Sequence, residues 1–485
     1  MKSFDWSRPQ RQPAAGLAIA FLNTFWEVAK RLWPLLLLML FGKEGKVSRY
    51  EIVAIIFLAI TILTALMRFL YFRFYLEENK LVIKTGWLNK ETKIIPLEKI
   101  QTVNIEQGPL HQLLNVVKLS IDTAGSQKAE ATIDSIHLSM AEALREKLLS
   151  QVASTQSSTE EKKLPLNETI IRLNTKDLLK LSISANHLEA FFILLSFGIG
   201  LYDNISNINQ NLFSGAENYL PNAVAGILFL SIVILLFTIL VSTIRIFFRF
   251  YDFKMTRNEK GYQSKSGLTN IRERLVAIQK IQFISWKANW IRRLMNLWML
   301  EYHVAGGDGL KNNLKVQVPV TRKGFLALLT NNYHPLPDTN SITPIRMHPV
   351  FIIRRFVFVG LLPALVLGLI FWWFIGYYVF LFLIYSLIIL VIAWAVQRKF
   401  RLWIMEDVLY IKKGLFGEEW IMMFWHKMQN VSVTQSYFQR RSGLANITFS
   451  SAGGSIGINY ITHADARKLA NLALYKTESS STGWM

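Results

Sequence analysis

The chain has 485 residues, 52% hydrophobic and 13% aromatic, with 54 Lys and Arg against 33 Asp and Glu for a formal charge of +21. Apolar content above that of soluble domains predicts membrane spans, and in a chain with spans a basic excess points to anionic lipid, so no nucleic-acid partner is expected. The lack of cysteine excludes disulfides and Cys-ligated metals.

The first residues, Met1 to Arg11, are polar, and no apolar run suited to a cleavable signal follows closely, so the N-terminus is expected to stay inside. Apolar segments at about Phe25–Phe41 and Ile52–Met67 read as spans, and Arg68 to Tyr75 mixes aromatic rings with arginine as a membrane boundary does. Strand signals follow at Leu81–Ile83, Thr92–Pro96, the alternating Val117, Leu119 and Ile121, and Ala131–Ile136. Ser139-Met140-Ala141-Glu142 has the spacing of a capping box for a helix to about Leu149, and Ser150–Glu168 reads as a flexible linker. An amphipathic run through Leu178, Leu179, Leu181 and Ile183 leads to apolar Leu188–Tyr202, a loop Asp203–Asn222 without Lys or Arg, and a span at Val224–Val241. Arg245 to Tyr251 repeats the boundary pattern. The next β-rich stretch carries an insertion of about five residues around Met255–Gly261, strand signals at Leu314, Val316 and Val318, and Thr321 as cap of a helix over Lys323–Leu329. A linker Asn331–Thr343 precedes spans at about Phe356–Phe374 and Tyr377–Val396, turned at Gly376 and closed by Gln397 to Trp403. Strand signals at Ile447 and Phe449, a helix over Ala464–Leu474 capped by Thr462, and a polar tail Thr477–Met485 complete the chain.

One framework recurs three times. Gly86, Lys99, Gln101, Asn115 and Gly125 are matched by Gly267, Lys280, Gln282, Asn296 and Gly306, and by Gly414, Lys427, Gln429, Gly443 and Gly453, at intervals of 13, 2, 14 and 10 residues without a gap. Such a period sets the organisation: N-terminal segment and first span pair 1–75, first β-rich domain 76–150, linker 151–175, second pair 176–250, second domain 251–332, linker and third pair 333–398, third domain 399–476, and tail 477–485. Only Lys43, Lys46 and Arg49 of the basic residues lie in loops within pairs, so the positive-inside rule puts six spans in the cell membrane with both termini and all repeats in the cytoplasm.

Chemistry is harder to find. Span centres hold no Asp, Glu, Lys, Arg or His; Glu27, Lys30, Arg31, Arg68 and Glu189 lie toward ends, which disfavours an ion-coupled transporter. Pro363, Gly360 and Gly368 are common enough in membrane helices to need no broken helix. None of the eight histidines pairs with a carboxylate or second histidine at metal-site spacing on one element, and no nucleophile elbow, Walker loop or zinc motif occurs, so no enzyme, cofactor or metal is expected. Gly86, Gly267 and Gly414 read as hairpin glycines needing positive φ, and Gly125, Gly306 and Gly453 as the same kind of turn. Lys99 with Gln101, Lys280 with Gln282 and Lys427 with Gln429 would each share one face of a strand. Two readings stand: a face for headgroups or a neighbouring chain, or a solvated edge that lysine keeps from aggregating. Arg245, Arg249 and Lys254, with Arg398, Lys399 and Arg401, fit anionic lipid or plain topology signals.

Two spans, an aromatic-basic exit, Lys99-Ile100-Gln101, Leu114-Asn115-Val116 and Thr123-Ala124-Gly125, with Arg440-Arg441-Ser442-Gly443-Leu444 and Ser451-Ala452-Gly453, resemble bacterial pleckstrin-homology-like membrane proteins of the YdbT type. The middle copy departs at Leu297-Trp298. The resemblance implies membrane α-helical hairpins plus three tandem PH-like sandwich or split-barrel domains, each closed by a C-terminal helix. It further implies a smaller PH-like membrane protein as partner and a role in envelope stress or antimicrobial resistance, while the gapless register and the empty span centres point to a membrane scaffold bound to the lipid bilayer, with a homo-oligomer as a further expectation. The alternative is a six-helix transporter or export factor for a lipid or peptide. Lys84, Lys90, Lys265, Lys412 and Lys413 in the first hairpins form no consistent cluster, so phosphoinositide recognition does not carry over.

Overall fold

The computed structural model describes residues 4–41, 47–87, 89–123, 131–154, 168–185, 187, 191–196, 223–258, 261–308, 312–331, 333–335 and 342–479. Gly125, most of Leu188–Tyr202, the loop Asp203–Asn222 and the end of the tail lie outside them.

Each repeat has six strands in two antiparallel trios. The first has β1 (Arg73–Glu77), β2 (Lys80–Thr85), β3 (Glu91–Pro96), β4 (Ile100–Gln107), β5 (Val116–Thr123), β6 (Ala131–His137) and a closing helix Leu138–Ser154. The 151–175 linker contributes β7 (Glu168–Arg172). The second repeat has β8 (Lys254–Asn258), β9 (Gly261–Ser266), β10 (Ile271–Val276), β11 (Ile281–Ala288), β12 (Trp298–Asp308), β13 (Asn312–Thr321) and the helix Lys323–Asn331. The third has β14 (Arg401–Ile404), β15 (Val408–Lys413), β16 (Glu418–Phe424), β17 (Met428–Thr434), β18 (Leu444–Ser451), β19 (Gly454–Thr462) and the helix His463–Glu478.

Period-2 patterning explains the cores. Val117, Leu119 and Ile121 of β5 are fully buried with Ile100, Val103 and Ile133, and Leu144 and Leu148 of the closing helix pack on the same core. The boundary sequence Arg68 to Tyr75 is partly β1, where Phe74 and Leu76 turn inward. Thr462 caps its helix by accepting from the Asp465 N–H at 3.1 Å. The other two expected caps differ. Their helices begin at Leu138 and Lys323, which leaves Ser139 inside the first turn and Thr321 in β13.

The recurring marks are mostly backbone geometry. Gly86, Gly267 and Gly414 have φ of 85°, 116° and 145°, and a Cβ on Gly86 would lie 2.0 Å from the Asn89 carbonyl oxygen. Asn115, Asn296 and Gly443, at φ of 52°, 53° and 63°, end one-turn helices Pro109–Leu113, Trp290–Leu294 and Tyr437–Arg441 that the sequence reading missed. The Ala-Gly marks do not share the hairpin conformation. Gly306 lies within β12 and Gly453 in the turn before β19, and there the positive φ, 132°, belongs to Gly454.

Contacts divide the chain into two units: Met1–Arg172, Phe253–Ile281 and Val304–Leu314, and Leu173–Asp252, Gln282–His303 and Lys315–Met485. The first holds a seven-stranded sheet, β6-β5-β4-β10-β9-β8-β7, in which a trio of repeat 1 joins a trio of repeat 2. In the second, β11 of repeat 2 pairs with β16 of repeat 3 within a sheet ordered β13-β12-β11-β16-β15-β14. The β1-β2-β3 and β17-β18-β19 trios stay three-stranded.

The residues before each membrane segment pair with the strand that follows it. Gln10 and Phe74 exchange backbone hydrogen bonds of 2.8 and 3.1 Å, Ile345 and Leu402 exchange bonds of 2.8 and 3.0 Å, and β7 pairs with β8. Among the described residues three helices are long and apolar enough to cross a membrane: Ser231–Phe250, Val350–Phe374 and Leu381–Lys399. The expected first pair falls in continuous helices Ala15–Phe41 and Val47–Tyr71.

In the third pair a π-helical turn, Phe356–Leu361, runs into Pro363, and Gly376 turns the hairpin at φ 50°. Pro363 offers no N–H to Val359 O, the carbonyl four residues earlier, and the Tyr385 hydroxyl donates to it at 3.1 Å. Tyr385→Phe is expected to cost about 1 kcal/mol, read as a lowered unfolding midpoint of the detergent-solubilised protein. Gly443→Asn should cost less than about 0.5 kcal/mol, since asparagine tolerates that φ, whereas Gly86→Asn should cost about 1–3 kcal/mol in the same assay.

Candidate functional site

The Lys and Gln marks sit where each repeat passes from its first trio to its second. A single 3₁₀ turn makes the passage, at Leu97–Lys99, Ile278–Lys280 and Trp425–Lys427. The lysine therefore precedes the strand and the glutamine is the strand's second residue, so the pair does not share one strand face as expected.

The copies are also unequal in burial. Lys99 is exposed, Lys280 half-buried and Lys427 buried. The Lys280 ammonium donates to the Ile100 carbonyl of the preceding repeat at 3.0 Å. Burial pushes the amines of Lys280 and Lys427 below the ordinary lysine value. For glutamine the order reverses: Gln282 is buried and Gln429 exposed, while the Gln101 side chain lies outside the described set. Gly453 explains Gln282, because a Cβ there would lie 2.9 Å from Gln282 Cβ. The Ala-Gly mark thus serves a close approach between repeats.

Other side chains act across the same junctions. Gln112, on the one-turn helix of repeat 1, donates to the carbonyls of Leu268 and Thr269 at 3.1 and 3.0 Å, and Arg145 pairs with buried Glu273 of β10. In repeat 2 the equivalent helix places Arg293 3.0 Å from Glu418 of β16. Trp420 of β16 stacks between Trp286 of β11 and Trp403 of β14, with ring centroids 6.1 and 5.3 Å away.

A second polar cluster escaped the sequence reading. Glu301 and His303 are two residues apart on β12, so they project from one face. Glu301 is buried, with the Lys287 ammonium at 2.8 Å and the Gln317 amide donating at 3.1 Å. His303 stacks on Phe283 with centroids 3.9 Å apart and shares a 2.8 Å hydrogen bond with Ser285. Arg249, at the end of the Ala223–Phe250 helix, donates to Gln317 at 3.3 Å. The histidine therefore does have a carboxylate close by, at 3.8 Å, and the i,i+2 strand spacing was the available signal. Among the described residues no group of three or more His, Cys, Asp or Glu could hold a metal ion.

Four of the five hairpin lysines are engaged locally, and Lys90 is exposed. Lys265 lies 4.0 Å from Glu273, Lys412 3.3 Å from Glu418 and Lys413 3.5 Å from Glu419, while Lys84 sits over the Tyr75 ring. That is cross-strand pairing, unlike a cradle for phosphate. Of the basic residues beside the membrane, Arg245 is exposed, Arg398 covers Trp394, Lys399 donates to Leu415 O, and Arg401 donates to the carbonyls of Arg398 and Phe400.

The model of the family described as Bacterial PH domain matches residues 19–152, 204–329 and 354–477. The chain is 23% identical over 462 residues to UPF0699 transmembrane protein YdbT of Bacillus subtilis (strain 168), covering 92% of this chain and 93% of that protein. No solved structure matches the chain.

A lysine whose amine is depressed in the folded state leaves the unfolded chain holding the extra proton, so stability gains as pH rises toward 10.5, the usual value. Lys280→Met keeps the stem and removes the titration. Wild type is expected to gain stability relative to this variant as pH climbs through the folded value toward 10.5, measured as the difference of unfolding midpoints across a pH series.

Proposed function

Because the chain belongs to the bacterial PH-domain family, and its relative is a transmembrane protein by name, we propose that it is a non-enzymatic membrane scaffold. Its three PH-like repeats bind one another and, beyond the chain, a protein neighbour or the inner leaflet. A smaller membrane protein of the same family is the neighbour expected, in the service of the cell envelope.

The carrying observation is the use made of the sheet edges. β4 with β10, and β11 with β16, use their main-chain donors and acceptors to join repeats, while four of the hairpin lysines, Lys84, Lys265, Lys412 and Lys413, are paired with carboxylates or a ring. A design that commits its edges and its cations in this way suits a rigid support.

Topology is read from the bracketing pairs. The flanks of all three membrane segments hydrogen-bond to each other, which supports an even number of crossings in each. With the sparse basic residues of the intervening loops, this supports six crossings with both termini in the cytoplasm. The third hairpin favours anchoring over transport. Tyr385 and Ser386 give their hydroxyls to the carbonyls of Val359 and Leu383, at 3.1 and 2.7 Å, so neither is spent on a water path.

Single cysteines on this cysteine-free chain test the reading. Tyr377→Cys should react with an impermeant maleimide added to intact cells, and Lys413→Cys only after permeabilisation. Crosslinking in membranes followed by affinity purification should recover a protein neighbour, or the solubilised chain should bind anionic vesicles. A chain that does neither is no scaffold.

A further inference from the structure

The two junctions between repeats are copies of one interface. Counted from the hairpin glycine, the fourth residue of one repeat lies opposite the twenty-first of the repeat before: Ile271 opposite Gln107, and Glu418 opposite Ala288. Both ladders are antiparallel and in the same register. The interface is head-to-tail, so a linear series of repeats leaves one unmatched half at each end.

Both unmatched halves are present in the chain. The strand that would receive a preceding repeat is β3, at the edge of its trio, where Glu91, Thr92, Lys93 and Ile94 are exposed. Its equivalents β10 and β16 carry no exposed residue. The strand that would meet a following repeat is β17, also an edge, where Gln429, Asn430, Ser432 and Thr434 are exposed. Its equivalent β11 is almost wholly buried.

The side chains that close the internal junctions have unspent counterparts. Lys99 is the exposed equivalent of Lys280, and Arg440 the exposed equivalent of Gln112 and Arg293. Glu91 and Lys93 do not forbid pairing, since β10 and β16 carry Arg272, Glu273, Glu418 and Glu419 there and pair regardless. Nor does Pro96, which is the tenth residue after Gly86, because the longer internal ladder ends at Met423, the ninth after Gly414.

We propose that a second copy of this chain lays its β3 along the exposed edge of β17, antiparallel, in the register of the internal junctions. Thr434 then faces Glu91 of the other copy, Val433 faces Thr92, Ser432 faces Lys93 and Val431 faces Ile94. Lys99 of that copy reaches the Met428 carbonyl as Lys280 reaches that of Ile100. The occupant is a copy of this chain because the chain itself supplies both halves, in a register it already uses twice. The proposal deepens the scaffold reading and rests on it for the cytoplasmic placement of the repeats. It fails separately, since a scaffold that engages only lipid or an unrelated protein forms no β3–β17 pair between copies.

Differently tagged full-length chains, one with a cysteine on β17 and one on β3, are co-expressed and oxidised in membranes. Val433→Cys with Thr92→Cys, and Ser432→Cys with Lys93→Cys, cover both classes of cross-strand pair. At least one should give a disulfide joining the two tags at about tenfold the yield of Ser432→Cys with Thr92→Cys, whose side chains would leave opposite faces. A further variant, Ser432→Lys beside Val433→Cys on β17, sets two lysines face to face and should lower the crosslink to Thr92→Cys severalfold, and Lys93→Glu in the other copy should restore it. Equal yields in and out of register, no crosslink between tags, a disulfide formed only within one doubly substituted chain, or capture of a different protein by Val433→Cys would each overturn the proposal.

Discussion

The open edge of a β-sheet is the constraint on which this molecule is built. A three-stranded trio presents rows of unpaired N–H and C=O groups on its outer strands, and those groups demand a partner or a guard. Here the partner is the next repeat: β10 closes the edge of β4, and β16 that of β11. Once the edges are joined, other features follow. Lys280 is drawn over the Ile100 carbonyl, Gln282 is covered by Gly453, and Arg145 and Arg293 find carboxylates on the adjoining strand. Charges half-buried in this way hold orientation more than they add stability, because desolvation offsets much of the attraction.

The membrane side obeys the same demand in a harsher solvent. Without water, a carbonyl that loses its helical partner needs another, and a proline in a span creates that need. The third hairpin answers it with Tyr385, and Gly360 lets the two helices approach: a Cβ there would lie 3.3 Å from the backbone of Ser386. The pairing of Gln10 with Phe74, of Ile345 with Leu402 and of β7 with β8 returns the chain to its sheet after each excursion. Each membrane segment is thus tied to its repeat twice, by the chain itself and by hydrogen bonds.

Much of this was legible from residues alone. The spacing of Gly86, Lys99, Gln101 and Asn115 and their echoes fixed three repeats, because turns that need positive φ accept few residue types. Alternation at Val117, Leu119 and Ile121 gave β5, and aromatic-basic clusters marked the ends of helices. The meaning of the Lys and Gln marks was not legible, since a single repeat does not say which neighbour covers it. Lys99, Lys280 and Lys427 are alike in sequence and unlike in burial because only the latter two have a repeat before them. The one-turn helices were missed because a single turn has no period to detect. The Glu301–His303 pair was not legible because a spacing of two brings side chains together only on a strand, and the strand expected in that repeat begins at Leu314.

The division of the middle repeat between two contact units has a consequence for descent. A domain duplicated in tandem normally keeps its independence, and each copy can then drift, be lost or be exchanged alone. Here the outer strands of the middle copy are the inner strands of composite sheets, so residues such as Glu273 and Glu418 answer to partners in the preceding repeat. Inheritance then acts on junctions more than on domains. Recombination within a repeat, between the trio facing its predecessor and the trio facing its successor, preserves both contacts, whereas a cut at the apparent domain boundary severs them.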